Sequence, residues 1–282
     1  MTETWTILKV LSWTRGYLAE KGVENSRLEA EWLLCEALGL DRVGLYVNFD
    51  KPLSDSELSA CRALVARRAR REPLQYILGS QDFYGLDFEV FPGVLIPRHD
   101  TETLVEEALK RCPAGATILD IGVGSGCIAV ALAKSRPDAH VHGVDLSAKA
   151  LELAQRNADR HGVTVTLAKG SLFEPFAGRK FDLIVSNPPY IPTADLAGLQ
   201  PEVRDFEPRE ALDGGADGLD YYRRIIPASS DFLVPDGWLL LEIGIGEAPD
   251  VSDLFMSTGM FHQLFSACDA GGVERVVGGR KK

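Results

Sequence analysis

Short apolar strands alternate with helical segments from Ala116 onward, and no other feature constrains the fold of this chain as strongly. Runs such as "TILDIG" (117–122) and "FDLIVS" (181–186) have the character of buried strands, and "CIAVALAKS" (127–135) between them has that of a helix. Such alternation predicts an α/β fold, a mostly parallel sheet with helices on both faces. The closing strands "FHQLFSA" and "VERVVG" have no helix between them, which predicts an antiparallel pair at the sheet edge.

The first part of the chain is helical instead. Up to about Gly79, apolar residues recur at helical spacing without strand-like alternation. Ser54 and Glu57 make a capping box for one helix. From Phe83 to Ile96, alternating apolar and aromatic residues punctuated by glycine predict a β-hairpin. We therefore expect a helical bundle over residues 1–75, a β-hairpin linker over 76–97 and a sheet domain over 98–282.

Composition narrows the classes of function. The 282 residues carry a formal net charge of -11, which disfavours non-specific binding to nucleic acid. No apolar run reaches the roughly 18 residues of a membrane span, and the first ten residues lack the layout of a signal peptide. The five cysteines are scattered without a CxxC pair, and His140 with His142 has no third ligand nearby. We expect a reduced, cytoplasmic protein with no metal site and no membrane association.

A basic cluster closes the last helix of the bundle: Arg67, Arg68, Arg70 and Arg71. Positive charge is favoured at a helix C-terminus, so the simplest interpretation is a solvated helix end. The alternative, a patch that touches a nucleic acid or an acidic partner, stays open.

A glycine loop follows the first strand of the sheet domain, in "DIGVGSG". Gly122, Gly124 and Gly126 let a ligand approach the backbone at a helix N-terminus. Their GxGxG spacing differs from the GxGxxG that holds a pyrophosphate, and Asp120 would repel a diphosphate but favour an ammonium group. Asp145 ends the next strand, where a carboxylate can accept hydrogen bonds from both hydroxyls of a ribose. An ammonium group and a ribose without a pyrophosphate describe S-adenosylmethionine, although both carboxylates could instead merely cap loops.

This segment resembles the class I S-adenosylmethionine-dependent methyltransferases. The resemblance implies a Rossmann-like, seven-stranded sheet whose last strand is antiparallel. It also implies S-adenosyl-L-methionine as the methyl donor and S-adenosyl-L-homocysteine as the product.

The strand "FDLIVS" stops at Asn187, Pro188, Pro189 and Tyr190. Two prolines cannot extend a central strand, and the carboxyl end of this strand should lie beside the glycine loop. The Asn187 side-chain oxygen and the Pro188 carbonyl can then accept both N–H bonds of a planar nitrogen, on a corner that the prolines stiffen. Tyr190 can stack on the flat acceptor group. This corner is shared by enzymes that methylate exocyclic amines of DNA bases and by enzymes that methylate glutamine amides, so both acceptors stay open here.

The order of motifs along the chain resembles one family. "PLQYILGSQDFYGLDFEVFPGVLIPRHDTE", "DIGVGSG", "SNPPYI", "FEPREAL" and "LLLEIG" follow one another as in the release-factor glutamine N5-methyltransferases, also called PrmC or HemK. The resemblance extends from about Pro73 to Gly279. It implies a helical bundle that recognises the substrate, and methylation of the glutamine N5 in the GGQ motif of class 1 peptide chain release factors. We expect a monomer without direct nucleic-acid binding; a DNA or RNA amino-methyltransferase is the alternative.

The resemblance also implies roles for single residues. The donor would be held by Asp120, Gly122, Val123, Gly124, Ser125, Gly126, Asp145, Leu172 and Asn187. Catalysis would fall to Asn187, Pro188 and Tyr190, and Pro189 would join them in binding the substrate. Ser171 stands where the family usually has an aspartate near the adenine amino group, and His99 in "IPRHDTE" receives no role.

Overall fold

Our computed structural model of the chain describes residues 4–282. The residues divide into two compact units, one running up to Gly79 and joined by Gln200–Phe206, the other formed by Ser80–Leu199 and Glu207–Lys282. The first unit is helical, and the boundaries at residues 75 and 97 stay predictions. Its helices are α1 (Ile7–Glu20), α2 (Ser26–Leu38), α3 (Arg42–Val47), α4 (Asp55–Ala69), α5 (Leu74–Leu78) and α9 (Pro201–Phe206).

Local capping explains where these helices begin and end. The capping box at α4 is formed: the Ser54 hydroxyl accepts from the Glu57 N–H at 3.3 Å, and the Glu57 carboxylate accepts from the Ser54 N–H at 2.8 Å. Helix α2 ends at Gly39, whose positive φ of 63° closes the last turn. The short helix α3 was not predicted, although Asp41 caps it by accepting from the Gly44 N–H at 2.6 Å.

Arginines of the basic cluster at the end of α4 form ion pairs inside the first unit. Arg68 is 4% exposed and bonds to Glu29 and, at 2.7 Å, to Glu202, which Arg71 also contacts at 2.7 Å. The prediction of a solvated helix end is therefore wrong for Arg68. Its guanidinium is satisfied by carboxylates from α2 and α9, so it is not available to an acidic partner.

The second unit opens with a β-hairpin, β1 (Ser80–Phe83) paired with β2 (Leu86–Glu89). Tyr84 and Gly85 form its turn, both with positive φ, as a type I′ turn requires. The hairpin lies earlier and is shorter than the predicted 83–96, because the alternating pattern continues into residues 90–96, which form no strand.

The rest of the second unit is an α/β sheet domain. Its strands are β3 (Thr117–Ile121), β4 (His140–Asp145), β5 (Val165–Lys169), β6 (Phe181–Ser186), β7 (Leu233–Glu242), β8 (Phe261–Cys268) and β9 (Glu274–Lys281). Its helices are α6 (Glu102–Arg111), α7 (Cys127–Ser135), α8 (Ala148–His161), α10 (Asp220–Ser229) and α11 (Ala248–Thr258). The seven strands lie in the order β5-β4-β3-β6-β7-β9-β8, and β9 alone runs in the direction opposite to the other six. The predicted fold class, with its antiparallel last strand, is confirmed.

Alternation along the strands divides the core between the two faces of the sheet. On β6, Leu183 packs with Leu104 and Ile128 on one face, whereas the next residue, Ile184, packs with Tyr222 and Phe255 on the other. A strand buried on both faces must be continuously apolar, which accounts for "FDLIVS".

The strand order reverses beside β3, which has β4 on one side and β6 on the other. Ile121 at the end of β3 pairs with Val144 of β4 and with Ser186 of β6. Ligands of open parallel sheets bind at such a switch point, outside the carboxyl ends of the strands. Between β6 and α10, residues 187–215 contain α9 and the 3-10 turns Leu196–Gly198 and Arg209–Ala211. None of the helices in residues 4–282 combines the length and the apolar character needed to cross a bilayer.

Candidate active site

A cavity of about 400 Å³ opens at the carboxyl ends of β3, β4 and β6. This volume lies within the roughly 300–1,000 Å³ of small-molecule sites. Nine of the predicted site residues line it: Gly122, Val123, Gly124, Ser125, Asp145, Leu172, Asn187, Pro188 and Pro189. Asp120, Gly126 and Tyr190 are not among the lining residues.

The glycine loop wraps the mouth of the cavity in a conformation that side chains disfavour. Gly122, Gly124 and Gly126 have φ of 75°, 54° and 82°. A Cβ on Gly126 would also lie 3.0 Å from the Ala154 Cα, so this glycine permits close packing of the loop against α8. The loop then passes directly into α7, whose first residues, Cys127 and Ile128, line the cavity.

Asp145 organises the loop and also faces the cavity. One carboxylate oxygen accepts from the Gly124 N–H at 3.0 Å, and the other accepts from the Ser147 N–H at 2.8 Å. Asp145 therefore does cap the loop. A carboxylate offers about four acceptor positions, so two remain for hydroxyl groups of a ligand.

Asp120 lies behind the loop and is fully buried. Its Oδ2 accepts from the Ala129 N–H at 3.1 Å, whereas its Oδ1 has no hydrogen-bond partner among residues 4–282. Burial raises the pKa of this carboxyl to about 7. An unpaired buried oxygen is costly, and a cation bound nearby would offset that cost by favouring the charged form.

At the Asn-Pro-Pro-Tyr corner, the Asn187 amide is held from one side. Its Nδ2 donates to the Thr101 hydroxyl at 3.1 Å, in the turn His99–Thr101. Thr101 is buried, at 2% exposure. With its nitrogen so engaged, the amide of this cavity-lining residue has Oδ1 left as an acceptor, and the predicted role of that oxygen stays a prediction. No role for Thr101 was predicted; the only signal was its place in "IPRHDTE".

Tyr190 is packed into the wall behind the corner rather than into the cavity lining. Three glycines make room for it: a Cβ on Gly214 would come within 2.8 Å of its Cα, one on Gly218 within 2.4 Å of its carbonyl oxygen, and one on Gly244 within 3.1 Å of its ring. Burial raises the pKa of its phenol above the ordinary range. Tyr190 therefore stays protonated.

Leu172 carries unusual backbone strain for a cavity residue. Its φ is +50°, a conformation that costs a leucine free energy and that concentrates at ligand sites. The neighbouring Ser171 hydroxyl accepts from Arg224 at 3.2 Å. Leu146, which directly follows Asp145, is 62% exposed at the cavity and was also missed. These apolar side chains offer walls for a flat ring.

His99 is an exposed side chain whose Nδ1 lies 3.2 Å from the Glu102 carboxylate, outside the cavity lining. Within residues 4–282, no three His, Cys, Asp or Glu side chains are grouped so that they could hold a metal ion.

Comparison with known proteins identifies relatives along the whole chain. Residues 9–79 match the family described as PrmC N-terminal domain, and residues 99–197 match that described as methyltransferase small domain. A release factor glutamine methyltransferase of Geobacter sulfurreducens is 70% identical over 99% of this chain and 98% of its own. One from Moorella thermoacetica is 45% identical over 92% of each chain.

A solved structure shares the fold at low identity. The T. thermophilus 16S rRNA methyltransferase RsmC, in complex with AdoMet and guanosine, superposes with a TM-score of 0.53 and 22% identity. The match covers 72% of this chain and 50% of that one. The fold of a methyltransferase is thereby confirmed for the sheet domain.

We expect Asp120→Asn to change how stability depends on pH. The carboxyl has a pKa of about 7 when folded and an ordinary value of 3.8 when unfolded. Between these values the folded state holds a proton that the unfolded state releases, so rising pH costs the wild type up to roughly 1.4 kcal/mol per pH unit. Asparagine does not titrate, so the folding stability of Asp120→Asn does not decrease with pH for this reason.

Urea unfolding of the ligand-free protein at several pH values measures the difference. The stability of the variant relative to wild type should rise between pH 4 and pH 7 and level off above about 8. Asp253→Asn, on the exposed face of α11, is the control for the loss of one carboxylate. Parallel curves for Asp120→Asn would show that this carboxyl ionises as readily inside the protein as in water.

Proposed function

This chain belongs to the family of release factor glutamine methyltransferases, and from that membership we propose that it methylates class 1 peptide chain release factors. The acceptor is the side-chain nitrogen N5 of the glutamine in their GGQ motif, and the donor is S-adenosylmethionine. The observation that carries the proposal is the 70% identity to a release factor glutamine methyltransferase over 99% of the chain. The acceptor geometry at Asn187 supports it.

The chemistry of the cavity fits the proposed donor. Asp145 has free acceptor positions for two ribose hydroxyls. The Asp120 carboxyl, which lies buried behind the loop and does not line the cavity, would favour the ammonium group of the donor through its charge rather than by direct contact. The exposed loop side chain Leu146 and the strained Leu172 offer apolar surface to the adenine ring. When bound, S-adenosylmethionine supplies an electrophilic methyl group.

The Asn187 corner can compensate for the weak nucleophilicity of a glutamine amide. The nitrogen of an amide is a poor nucleophile because its lone pair is delocalised into the carbonyl. Asn187 Oδ1 and the Pro188 carbonyl can accept its two N–H bonds, which turns the remaining lobe of the nitrogen toward the methyl group. These acceptors are preorganised by the two prolines, so they strengthen as positive charge develops on the nitrogen.

Removal of the proton from the methylated nitrogen does not require a strong base in the protein. Once the nitrogen carries the methyl group it is acidic, and water can take the proton. Tyr190, whose phenol stays protonated, is not suited to act as a base. In this proposal Tyr190 supports the corner from the wall behind it and does not itself contact the acceptor.

The donor site can be tested through Asp145. We expect Asp145→Ala to weaken binding of S-adenosylhomocysteine by roughly 1–3 kcal/mol, the scale of a hydrogen bond to a charged group. Calorimetry with the 2′-deoxy analogue separates ribose contact from loop capping. If Asp145 holds the ribose, removing the hydroxyl weakens binding to wild type but not to the variant; an equal loss for both proteins would limit Asp145 to capping the loop.

The acceptor site can be tested through Asn187. We expect Asn187→Ala to lower the rate of methyl transfer about 10²–10³-fold, because an acceptor that strengthens in the transition state is lost. Affinity for the donor should stay close to that of wild type. The measurement is transfer of labelled methyl to a release factor, with duplex DNA as a parallel acceptor. Asn25→Ala, at an exposed helix start, is the control.

If the wild-type enzyme transfers the label to DNA rather than to the release factor, the alternative function, a DNA or RNA amino-methyltransferase, is favoured. If Asn187→Ala transfers the methyl group at the wild-type rate, the Asn187 side chain has only a structural role. The acceptor role proposed for it is then wrong.

A further inference from the structure

A buried asparagine on α8 is hydrogen-bonded to the main chain of two distant segments. Asn157 is fully buried, at 0% exposure, and does not line the cavity. Its Nδ2 donates to the Ser125 carbonyl at 2.9 Å and to the Glu89 carbonyl at 3.1 Å, and its Oδ1 accepts from the Glu89 N–H at 2.8 Å. Both of its N–H donors and one of its acceptor positions are therefore used on backbone groups.

Each of the two segments leads into the lining of the cavity. Ser125 lies in the glycine loop and lines the cavity itself, as do Cys127 and Ile128 at the start of α7. Glu89 is the last residue of β2, and the chain that follows it returns to the same cavity, which residues 93–98 line. One side chain on α8 thus connects two parts of the cavity lining that come from different places in the sequence.

Building on the donor proposed above, we propose that Asn157 is a positioning residue for S-adenosylmethionine. It fastens the glycine loop and the segment after β2 to one point on α8. The two parts of the lining are then held at a fixed separation before the donor arrives, so that less order has to be created when the donor binds. Asn157 acts through these segments and does not touch the donor.

The chemistry of the position favours such a role over packing. The other buried residues of α8 are apolar: Ala150, Leu153, Ala154 and Ala158. A buried amide costs free energy unless hydrogen bonds satisfy it, and a leucine at position 157 would bury apolar surface without that cost. The partners of Asn157 are backbone groups of a loop and of a strand end, whose hydrogen bonds the helices and the sheet ladder do not supply.

The Ser125 carbonyl is the contact that acts most directly on the site. The Gly126 N–H donates to the Val123 carbonyl at 2.8 Å, which closes a turn just before α7. Because a peptide unit is planar, holding the Ser125 carbonyl on Asn157 also fixes the direction of the Gly126 N–H. Rotation of this peptide would change how the first turn of α7 is presented to the cavity, and the first N–H groups of a helix are those that bind ligands.

Thermodynamic linkage connects the hydrogen bonds of Asn157 with the affinity for the donor. If the fastened lining binds the donor more tightly than the released lining, the bound donor must favour the fastened form by the same factor. For one ordinary hydrogen bond that factor is about 10-fold. The coupling can therefore be measured from the donor and, independently, from Asn157.

Calorimetry measures the coupling from the donor. Asn157→Leu removes all three hydrogen bonds at similar volume and should weaken binding of S-adenosylhomocysteine about 10-fold. In turnover the variant should raise KM for the donor by a similar factor and leave kcat at saturating donor nearly unchanged, because the Asn187 corner is intact. A purely structural role would lower the amount of folded enzyme and leave both constants of the folded fraction as in wild type.

His161→Phe is the matched control on the same helix. The His161 Nε2 lies 3.0 Å from the Asp87 carbonyl, and its ring packs on Phe88 with centroids 5.1 Å apart. Phenylalanine keeps the ring and removes the polar contact between α8 and the hairpin, without a change at the glycine loop. Affinity for S-adenosylhomocysteine should stay at the wild-type value. An equal loss of affinity in both variants would show that any loosening of the hairpin weakens the donor site, which overturns the role assigned to Asn157.

Hydrogen exchange measures the coupling from Asn157 in the wild-type protein. The chain has four asparagines, Asn25, Asn48, Asn157 and Asn187, so labelling with ¹⁵N-asparagine gives four side-chain NH₂ signals. Asn25→Asp, Asn48→Asp and Asn187→Asp assign three of them, and the fourth belongs to Asn157. Saturation with S-adenosylhomocysteine should slow exchange of the Asn157 NH₂ group about 10-fold. This test needs no variant at position 157, so it stands even if Asn157→Leu does not fold.

The outcomes separate this role from the proposed function. Exchange of the Asn157 NH₂ group that ignores the ligand, or wild-type affinity in folded Asn157→Leu, overturns the role of Asn157 and leaves the donor in place. If the wild-type protein does not bind S-adenosylhomocysteine at all, the donor proposed above is refuted, and the role of Asn157 toward it is refuted as well.

Discussion

The parallel pairing of β3 with β6 is the constraint on which the candidate site depends. Ile121 and Ser186 are paired at the ends of these strands, and the Ser186 hydroxyl donates to the Ile121 carbonyl at 2.7 Å. Because parallel strands end at the same edge, the glycine loop and Asn187 must leave the sheet side by side. A slip of one residue would turn Asn187 to the opposite face and separate it from the loop.

The site is also marked by buried charge that the fold alone would not favour. Asp120 at the end of β3 and Glu242 at the end of β7 are both fully enclosed, and burial raises the pKa of each carboxyl to about 7. Each retains one oxygen without a partner in the described residues. Two poorly satisfied carboxyls flank the cavity, one behind the donor loop and one behind Asn187. Such groups concentrate where a protein binds and reacts rather than where it merely packs.

The sequence predicted those features that depend on neighbouring residues. Helix α7 occupies 127–135 as predicted, because the glycine loop before it and the apolar run within it are local signals. Contacts between distant residues were not predictable in this way. Thr101 acts on Asn187 across 86 positions, and Arg68 finds Glu202 across 134. Neither partner can be named from periodicity or capping, since only the folded sheet or bundle brings them together. The resemblance to a family supplied the cavity residues but not the residue that orients Asn187.

In the proposed reaction, the Asn187 corner presents two acceptors to a planar amide nitrogen of a release factor. Fragmentation mass spectrometry of a class 1 release factor, after incubation with the wild-type enzyme and S-adenosylmethionine, tests it most directly. We expect a single methyl group on the side-chain nitrogen of the GGQ glutamine, and none when that glutamine is replaced by asparagine, whose shorter side chain withdraws the nitrogen from the corner. A methyl group on a lysine, on a backbone atom or on nucleic acid would contradict it.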